Sequence, residues 1–487
     1  MSRLKNTIIH IHNLLGTFLS LMFVIWFLSG FVLIFAGFPH ASREERFLHL
    51  SSLNKADFDS IQAPKNFKGR VELEKMNGNP VYRVYAGRKA QKVYDAKSLQ
   101  AWGKTSEEDA IHLAEDFTGS KMSSVQKIDK LDQWMPWSYY CPLLPFYKCQ
   151  MNDDAHTRIY VSEVSGTIVQ ETTIKSRWLG RIGAIPHWIY FKSLRLKVSL
   201  WSKVVAWVSG FGVLVSLTGL IAGIIRLRKR RKQERWSQFT PYKKFWHKWH
   251  HITGFFFGLF VFTFILSGLV SVTDIPQWMV PIHNKKSVKR IWNQKLELDQ
   301  HENIDFTELW KAIDNGTPVR KVVFKTVHNQ PAYWVYRNHY EKPDVYISGD
   351  NGIVSKQKYS KEQIHNWCKK VLPNVEYSLK SQDEFDAYYQ KSGMWERPLP
   401  IWQLNLNDGD ETRMYIDYKT GEVVKSYTNN DRWRRWLYRS LHTLDFPYLK
   451  QHDWLRKILL LFLSLGGTVV SLSGLVLGIK WMQRKSK

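Results

Sequence analysis

The chain has 487 residues and a formal net charge of +27, from 70 Lys and Arg against 43 Asp and Glu. Hydrophobic residues make up 44% of it, which excludes a disordered chain. Three cysteines with no Cys-x-x-Cys exclude a disulfide scaffold, a Cys-rich zinc module and a c-type haem attachment.

The length suits two to four units. The mean hydropathy of −0.34 suggests a soluble protein, and the charge suggests a nucleic-acid binder. Both numbers are averages over segments of opposite character.

In chain order, the first element is an apolar run, Leu14–Phe38, preceded by Arg3 and Lys5. It is longer than a signal-peptide h-region and no A-x-A site follows, so it reads as a transmembrane helix. Three more runs lack Asp, Glu, Lys and Arg: Val204–Ile225, Ile252–Val272 and Ile458–Ile479. Each has the roughly 20 apolar residues that a bilayer crossing needs. The implied organisation is helix 1 at 1–38, a first large segment at 39–200 and helix 2 at 201–227. A basic loop at 228–248, helix 3 at 249–273 and a second large segment at 274–455 follow. Helix 4 at 456–481 and a tail at 482–487 complete the chain.

The large segments read as α+β. Val81–Tyr85 and Ala332–Tyr336 have strand patterns, and Gly166, Gly352 and Gly421 sit at hairpin-like turns. Ser106–Phe117 and Ser360–Val371 read as short helices. For Cys141 and Cys149, a disulfide and two free thiols both stay open.

Charge orients the spans. The loop between spans two and three carries Arg226, Arg228, Lys229, Arg230, Arg231, Lys232, Arg235, Lys243, Lys244 and Lys248, opposed by Glu234 alone. The tail adds Lys480, Arg484, Lys485 and Lys487. The positive-inside rule then puts this loop and both termini in the cytoplasm, and the two large segments outside. The basic run is explained by topology and anionic lipid, without nucleic acid.

The sequence repeats itself. His12-x3-Gly16 and Leu28-Ser29-Gly30 recur as His250-x3-Gly254 and Leu266-Ser267-Gly268. Later, Tyr160 to Gly166 matches Tyr415 to Gly421, His187 matches His442, and Leu217-Thr218-Gly219 matches Leu472-Ser473-Gly474. Two halves of the form helix, outer segment, helix imply a pseudo-two-fold axis along the membrane normal.

The matched histidines carry the chemistry. On a helix, Gly16 lies one turn beyond His12, and Gly30 returns to the same angle. That face offers an imidazole and two positions without side chains, and His250, Gly254 and Gly268 repeat it. Gly and Ser also suit tight helix packing in lipid, but matched histidines beside membrane spans favour ligation. Spans two and four hold no histidine, so a site at the cytoplasmic end draws on His10, His12, His247, His250 and His251. Symmetry selects His12 with His250 as a bis-imidazole iron site, with His10, His247 and His251 as substitutes. At the outer end, His187 with His442 is the parallel pair, and an interfacial anchoring role is its alternative. Arg181, Arg195, Lys197, Arg439 and Lys450 flank that pair and suit haem propionates, or simply snorkel. His112 and His365 also match, but they lie in the outer segments, where a structural role is expected. No Walker A, no G-x-G-x-x-G after a strand and no H-E-x-x-H occurs. Electrons would therefore come from a membrane quinol or another protein.

Taken together, the four spans, the HxxxG openings, the Leu-Ser/Thr-Gly triplets and the histidines before spans two and four resemble the PepSY-associated transmembrane helix family. The resemblance covers nearly the whole chain and extends to FoxB-type inner-membrane siderophore reductases. It implies a multi-pass protein of the bacterial inner membrane with two PepSY-like periplasmic domains. It also implies two b haems, ligated by His12 with His250 and by His187 with His442, and the helix faces read above leave Gly16, Gly254, Gly30 and Gly268 as room for packing beside them. The implied reaction is reduction of a ferric siderophore for iron uptake. A non-redox PepSY scaffold and a siderophore permease are the rival readings. Trp134, Trp137, Tyr139, Tyr140, Trp395 and Trp402 are candidates for substrate docking and are better explained as packing.

Overall fold

The structure is a computed structural model, which describes residues 2–87, 91–231, 240–284, 287–348, 354–356, 358–391 and 397–485. Gly352, Trp395 and residues 232–239 of the basic loop fall outside the described residues. The chain divides into a helical unit (Met1–Phe38, Lys175–Val280 and Asp431–Lys487) and a strand-rich unit (Pro39–Ile174 and Pro281–Asn430).

The helical unit contains α1 (Ser2–Leu33), α2 (Ala184–Trp188), α3 (Lys192–Arg195), α4 (Val198–Arg231), α5 (Phe245–Val272), α6 (Leu441–Thr443) and α7 (Asp453–Lys485). Helices α1, α4, α5 and α7 are each long and apolar enough to cross a membrane. The first ends at Leu33, short of the expected Phe38, because Gly37-Phe38-Pro39 disfavours helix. Several hydroxyls within the helices are satisfied locally. The hydroxyls of Thr17, Ser216 and Thr468 each donate to the carbonyl four residues back. Helices α1 and α5 each pack against both α4 and α7. Small residues allow close approach: a Cβ at Gly467 would lie 2.5 Å from the Phe27 ring, and one at Gly478 would lie 3.0 Å from the Thr17 backbone.

The sequence reading puts residues 175–200, 274–280 and 431–455 in the two outer segments. The structure assigns them to the helical unit. The short helix α2 packs on α1, and α6 packs on α5.

The strand-rich unit holds three antiparallel sheets. Strands β1 (Arg70–Met76), β2 (Asn79–Tyr85), β3 (Gln91–Asp95), β4 (Met122–Ile128), β5 (Phe146–Met151), β6 (Arg158–Ser162) and β7 (Ile168–Thr172) come from the first segment. The second supplies β8 (Lys321–Val327), β9 (Gln330–Tyr336), β10 (Asp344–Ser348), β11 (Val354–Lys356), β12 (Tyr377–Gln382), β13 (Ile401–Leu406), β14 (Arg413–Asp417) and β15 (Val423–Tyr427). Two four-stranded sheets, β4-β5-β6-β7 and β12-β13-β14-β15, share one strand order. The expected helices appear as Glu107–Thr118 and Lys361–Val371, capped by Ser106 and Ser360.

The third sheet departs from the expectation of two separate domains. Its order is β11-β10-β9-β8-β1-β2-β3, so both segments build one sheet. The join is β1 against β8, with Leu73 opposite Val322. This pairing covers what would otherwise be an exposed edge on each hairpin. Both inner strands bury one face in a shared core that includes Val71, Leu73, Tyr82, Val322, Phe324 and Tyr333. Charge spans the seam as well: buried Glu72 lies 3.4 Å from Lys321 and 3.1 Å from Arg70.

Side-chain contacts recur between the segments. Tyr160 donates to Asp132 at 2.6 Å, and Tyr415 to Asp386 at 2.8 Å. Thr157 donates to Asp153, and Thr412 to Asp408. The turns at Gly166 and Gly421 both need the left-handed region, at φ of 58° and 63°. Cys141, Cys149 and Cys368 are free thiols. Cys149 is sealed in the core under the helix Glu107–Thr118, while Cys141 is exposed.

Candidate functional site

Four histidines of the helical unit meet in two pairs. The His12 and His250 ring centres lie 6.2 Å apart, and those of His187 and His442 lie 6.0 Å apart. His12 projects from the N-terminal part of α1, and His250 from that of α5. His187 lies on α2 and His442 on α6. Each of these two short helices ends in a left-handed residue, Ile189 at φ 53° and Leu444 at φ 51°. That turn closes the helix just beyond the histidine.

Each histidine is seated on a neighbouring long helix by the same device. The imidazole Nδ1 of His12 lies 3.0 Å from the Val215 carbonyl of α4. That of His250 lies 3.2 Å from the Val470 carbonyl and 3.0 Å from the Ser473 hydroxyl of α7. For His187 the partners are Trp26 carbonyl and Ser29 hydroxyl of α1, both at 3.1 Å. For His442 they are Phe264 carbonyl at 3.2 Å and Ser267 hydroxyl at 3.0 Å, both on α5.

These seats are the Leu-Ser/Thr-Gly triplets. In all four, the Ser or Thr hydroxyl donates to the carbonyl three residues back, the same carbonyl that faces the imidazole. The glycine that follows then faces the ring. A Cβ would stand 2.6 Å from His12 Cε1 at Gly219 and 3.3 Å from His250 Cε1 at Gly474. It would stand 3.7 Å from His187 Cε1 at Gly30 and 3.8 Å from His442 Cε1 at Gly268. The serines and Thr218 thus position the site, a role the sequence reading did not give them. Their recurrence ahead of a glycine in every span was the available signal.

The seats also fix the protonation of the rings. A carbonyl oxygen only accepts, so Nδ1 carries the hydrogen and donates it. In the neutral ring, Nε2 is then left with a bare lone pair, which is the form that binds a metal. No Nε2 of the four makes a hydrogen bond among the described residues.

The predicted glycines divide by location. Gly30 and Gly268 abut the His187–His442 pair, not the His12–His250 pair from whose helices they were read. Gly16 and Gly254 face open space, save for one Val215 methyl at 4.0 Å from Gly16. Among the substitutes, His10 is exposed, and His247 and His251 lie against the Tyr242 ring. His365 bonds Tyr377 in the strand-rich unit, and His112 is exposed there, 4.0 Å from Glu108. Trp134, Tyr140 and Trp402 are buried, and Trp137 and Tyr139 stack on each other at 6.0 Å.

Along α1, the rise from His12 to Ser29 is about 26 Å, close to the thickness of a bilayer core. The interval is apolar. Phe23, Phe27, Val215, Val261 and Ile265 form its buried core. Phe264 stacks on His442 at 4.3 Å and lies 4.9 Å from Phe260 and 5.8 Å from Phe27.

No curated protein matches the chain. The family description "PepSY-associated TM region" matches residues 9–484, a stretch that takes in most or all of each long helix and all four histidines. The chain is a membrane protein and belongs to the PepSY-associated TM family.

Proposed function

We propose that the protein is a di-haem transmembrane electron-transfer protein that reduces ferric iron, held as a siderophore complex, outside the bacterial inner membrane. The observation that carries this reading is the pair of facing imidazoles at each end of the helical unit. Imidazole binds metals at about 2.0–2.1 Å, which spaces two rings across one ion at about 6.3 Å between centres. Among the described residues, no third His, Cys, Asp or Glu gathers at either pair. A metal there would need its other ligands from a non-protein group, and a haem would supply them while His12 with His250, and His187 with His442, would hold its iron. The open space beside Gly16 and Gly254 suits a flat group at the His12–His250 end.

When bound, the two haems supply one-electron chemistry. The residues do the rest. Nδ1 bonds to Trp26, Val215, Phe264 and Val470 hold each Nε2 lone pair in a fixed direction. The apolar interval around Phe27 and Phe264 keeps water out of the path between the sites. Reducing Fe³⁺ to Fe²⁺ weakens its hold by hard oxygen donors, so outer-sphere transfer releases iron with no acid–base residue. A membrane quinol or another protein supplies the electrons. Both termini and the basic loop lie in the cytoplasm in this reading, with the strand-rich unit on the other side. The matched contacts of the two segments support descent from a tandem duplication about a pseudo-two-fold axis.

The test is the absorption spectrum of the purified protein. A Soret band with α and β bands that sharpen on dithionite is expected, with two haems per chain. A preparation that stays colourless after haem loading refutes the reading.

A further inference from the structure

Arg195 closes α3, eight residues beyond His187. Its guanidinium carbon lies 4.3 Å from the Trp201 ring centre and 5.0 Å from that of Tyr190. Trp201 Nε1 donates to the Trp188 carbonyl at 2.9 Å, and Trp188 adjoins His187. Trp188 and Tyr190 lie 5.3 Å apart. The aromatic bracket therefore ties the cation to the turn that follows the histidine.

The rings contact the guanidinium but accept none of its hydrogen bonds. Nε and Nη1 are shut from solvent and make no hydrogen bond among the described residues. Leaving a buried donor unpaired is costly, and more so when it is charged. Arg181, Lys197, Arg439 and Lys450 also flank the histidine pair, yet none has such a buried, unpaired donor among the described residues. Arg181 lies over Trp178, which is itself exposed. A planar cation stacked on rings, with donors to spare, matches an oxyanion brought by a ligand.

We infer that Arg195 is the anion-binding residue of the His187–His442 site and pairs with a carboxylate side chain of the haem bound there. This rests on the haem reading above. Arg195 is a positioning residue in that role. Its charge favours the state with the extra electron, so it raises the midpoint potential of that haem.

The test compares wild type, Arg195→Gln and Arg195→Lys in detergent, by haem content, redox titration and native mass spectrometry of bound lipid. The expected result is a downward shift of one of two midpoints in Arg195→Gln. Arg195→Lys should keep most of the wild-type value. Should Arg195→Gln misfold, a lowered retention of one haem in Arg195→Lys serves instead. Two haems with unchanged midpoints and retention in both Arg195 variants overturn this inference alone. Unchanged midpoints with loss of a bound anionic lipid also overturn it and assign the cation to a lipid phosphate. A wild type without haem overturns the function and this inference together.

Discussion

His187 and His442 stand 255 positions apart in the chain, yet their ring centres lie 6.0 Å apart. His12 and His250 repeat the relationship at 6.2 Å. Each ring is anchored through Nδ1 on a different long helix. The His12–His250 pair therefore draws on all four long helices, and the His187–His442 pair on α1 and α5.

The pairing sets the outcome of histidine variants. His12→Ala or His250→Ala should each remove about half of the haem, and the double variant should lose no more than either single one. His187→Ala or His442→Ala should remove the other half. Combining His12→Ala with His187→Ala should empty both sites. Haem content measured as the pyridine complex decides it. Additive loss within a pair would show that its members do not share an iron.

Glycines at the seats give a graded expectation. A Cβ at Gly219 would stand 2.6 Å from His12 Cε1, so Gly219→Ala must push the ring out of place. Gly474→Ala is tight at 3.3 Å, whereas Gly30→Ala and Gly268→Ala meet ordinary contact at 3.7 and 3.8 Å. Haem retention should therefore fall most in Gly219→Ala, less in Gly474→Ala and little in the other two. Equal retention in all four variants would contradict the seating geometry.

The spans, the histidine pairs and the two capped helices were legible because each depends on local pattern. An apolar run, a matched imidazole and a Ser N-cap carry their meaning within a few residues. The function of the Leu-Ser/Thr-Gly triplets was not legible, because the ring that each one seats belongs to a distant part of the chain. His187 rests on Ser29 and His12 on the Val215 carbonyl, and no spacing rule links them. The pairing of β1 with β8 was hidden for the same reason. Alternation shows that a strand has two faces and says nothing about which strand lies alongside.

The proposed orientation rests on the basic residues between α4 and α5 and at the end of α7. A reporter fused after Arg231 should read cytoplasmic, and one placed in the strand-rich unit at Gly316 should read external. Gly316 follows Asp314 in an exposed turn, so an insertion there spares the core. An external signal after Arg231 would reverse the direction of electron flow in the proposed function.

The seam of the shared sheet should make stability pH-dependent in two separable steps. Burial alone would raise the Glu72 carboxyl, but Lys321, Arg70 and Arg83 outweigh it and hold the group below its usual range. Its stabilisation is present above the unfolded carboxylate value and is lost as pH falls through the lower folded value. His301 behaves differently. Burial pushes it down from 6.5 to about 4, and its Nε2 faces the Lys325 carbonyl at 3.1 Å. The unfolded chain takes up that proton below about pH 6.5 while the folded one resists until about pH 4. Stability should therefore fall across that window, by roughly 3 kcal/mol at most. Hydrogen exchange of the intact protein, read at β1 and β8 between pH 7 and 3, separates the two. His301→Gln should flatten the upper step and leave the lower one. Glu72→Gln should flatten the lower step and, by leaving cations at the seam without a counter-charge, cost about 3 kcal/mol at neutral pH. Unchanged protection at β1 and β8 in Glu72→Gln at pH 7 would show that the seam is held by its apolar core alone.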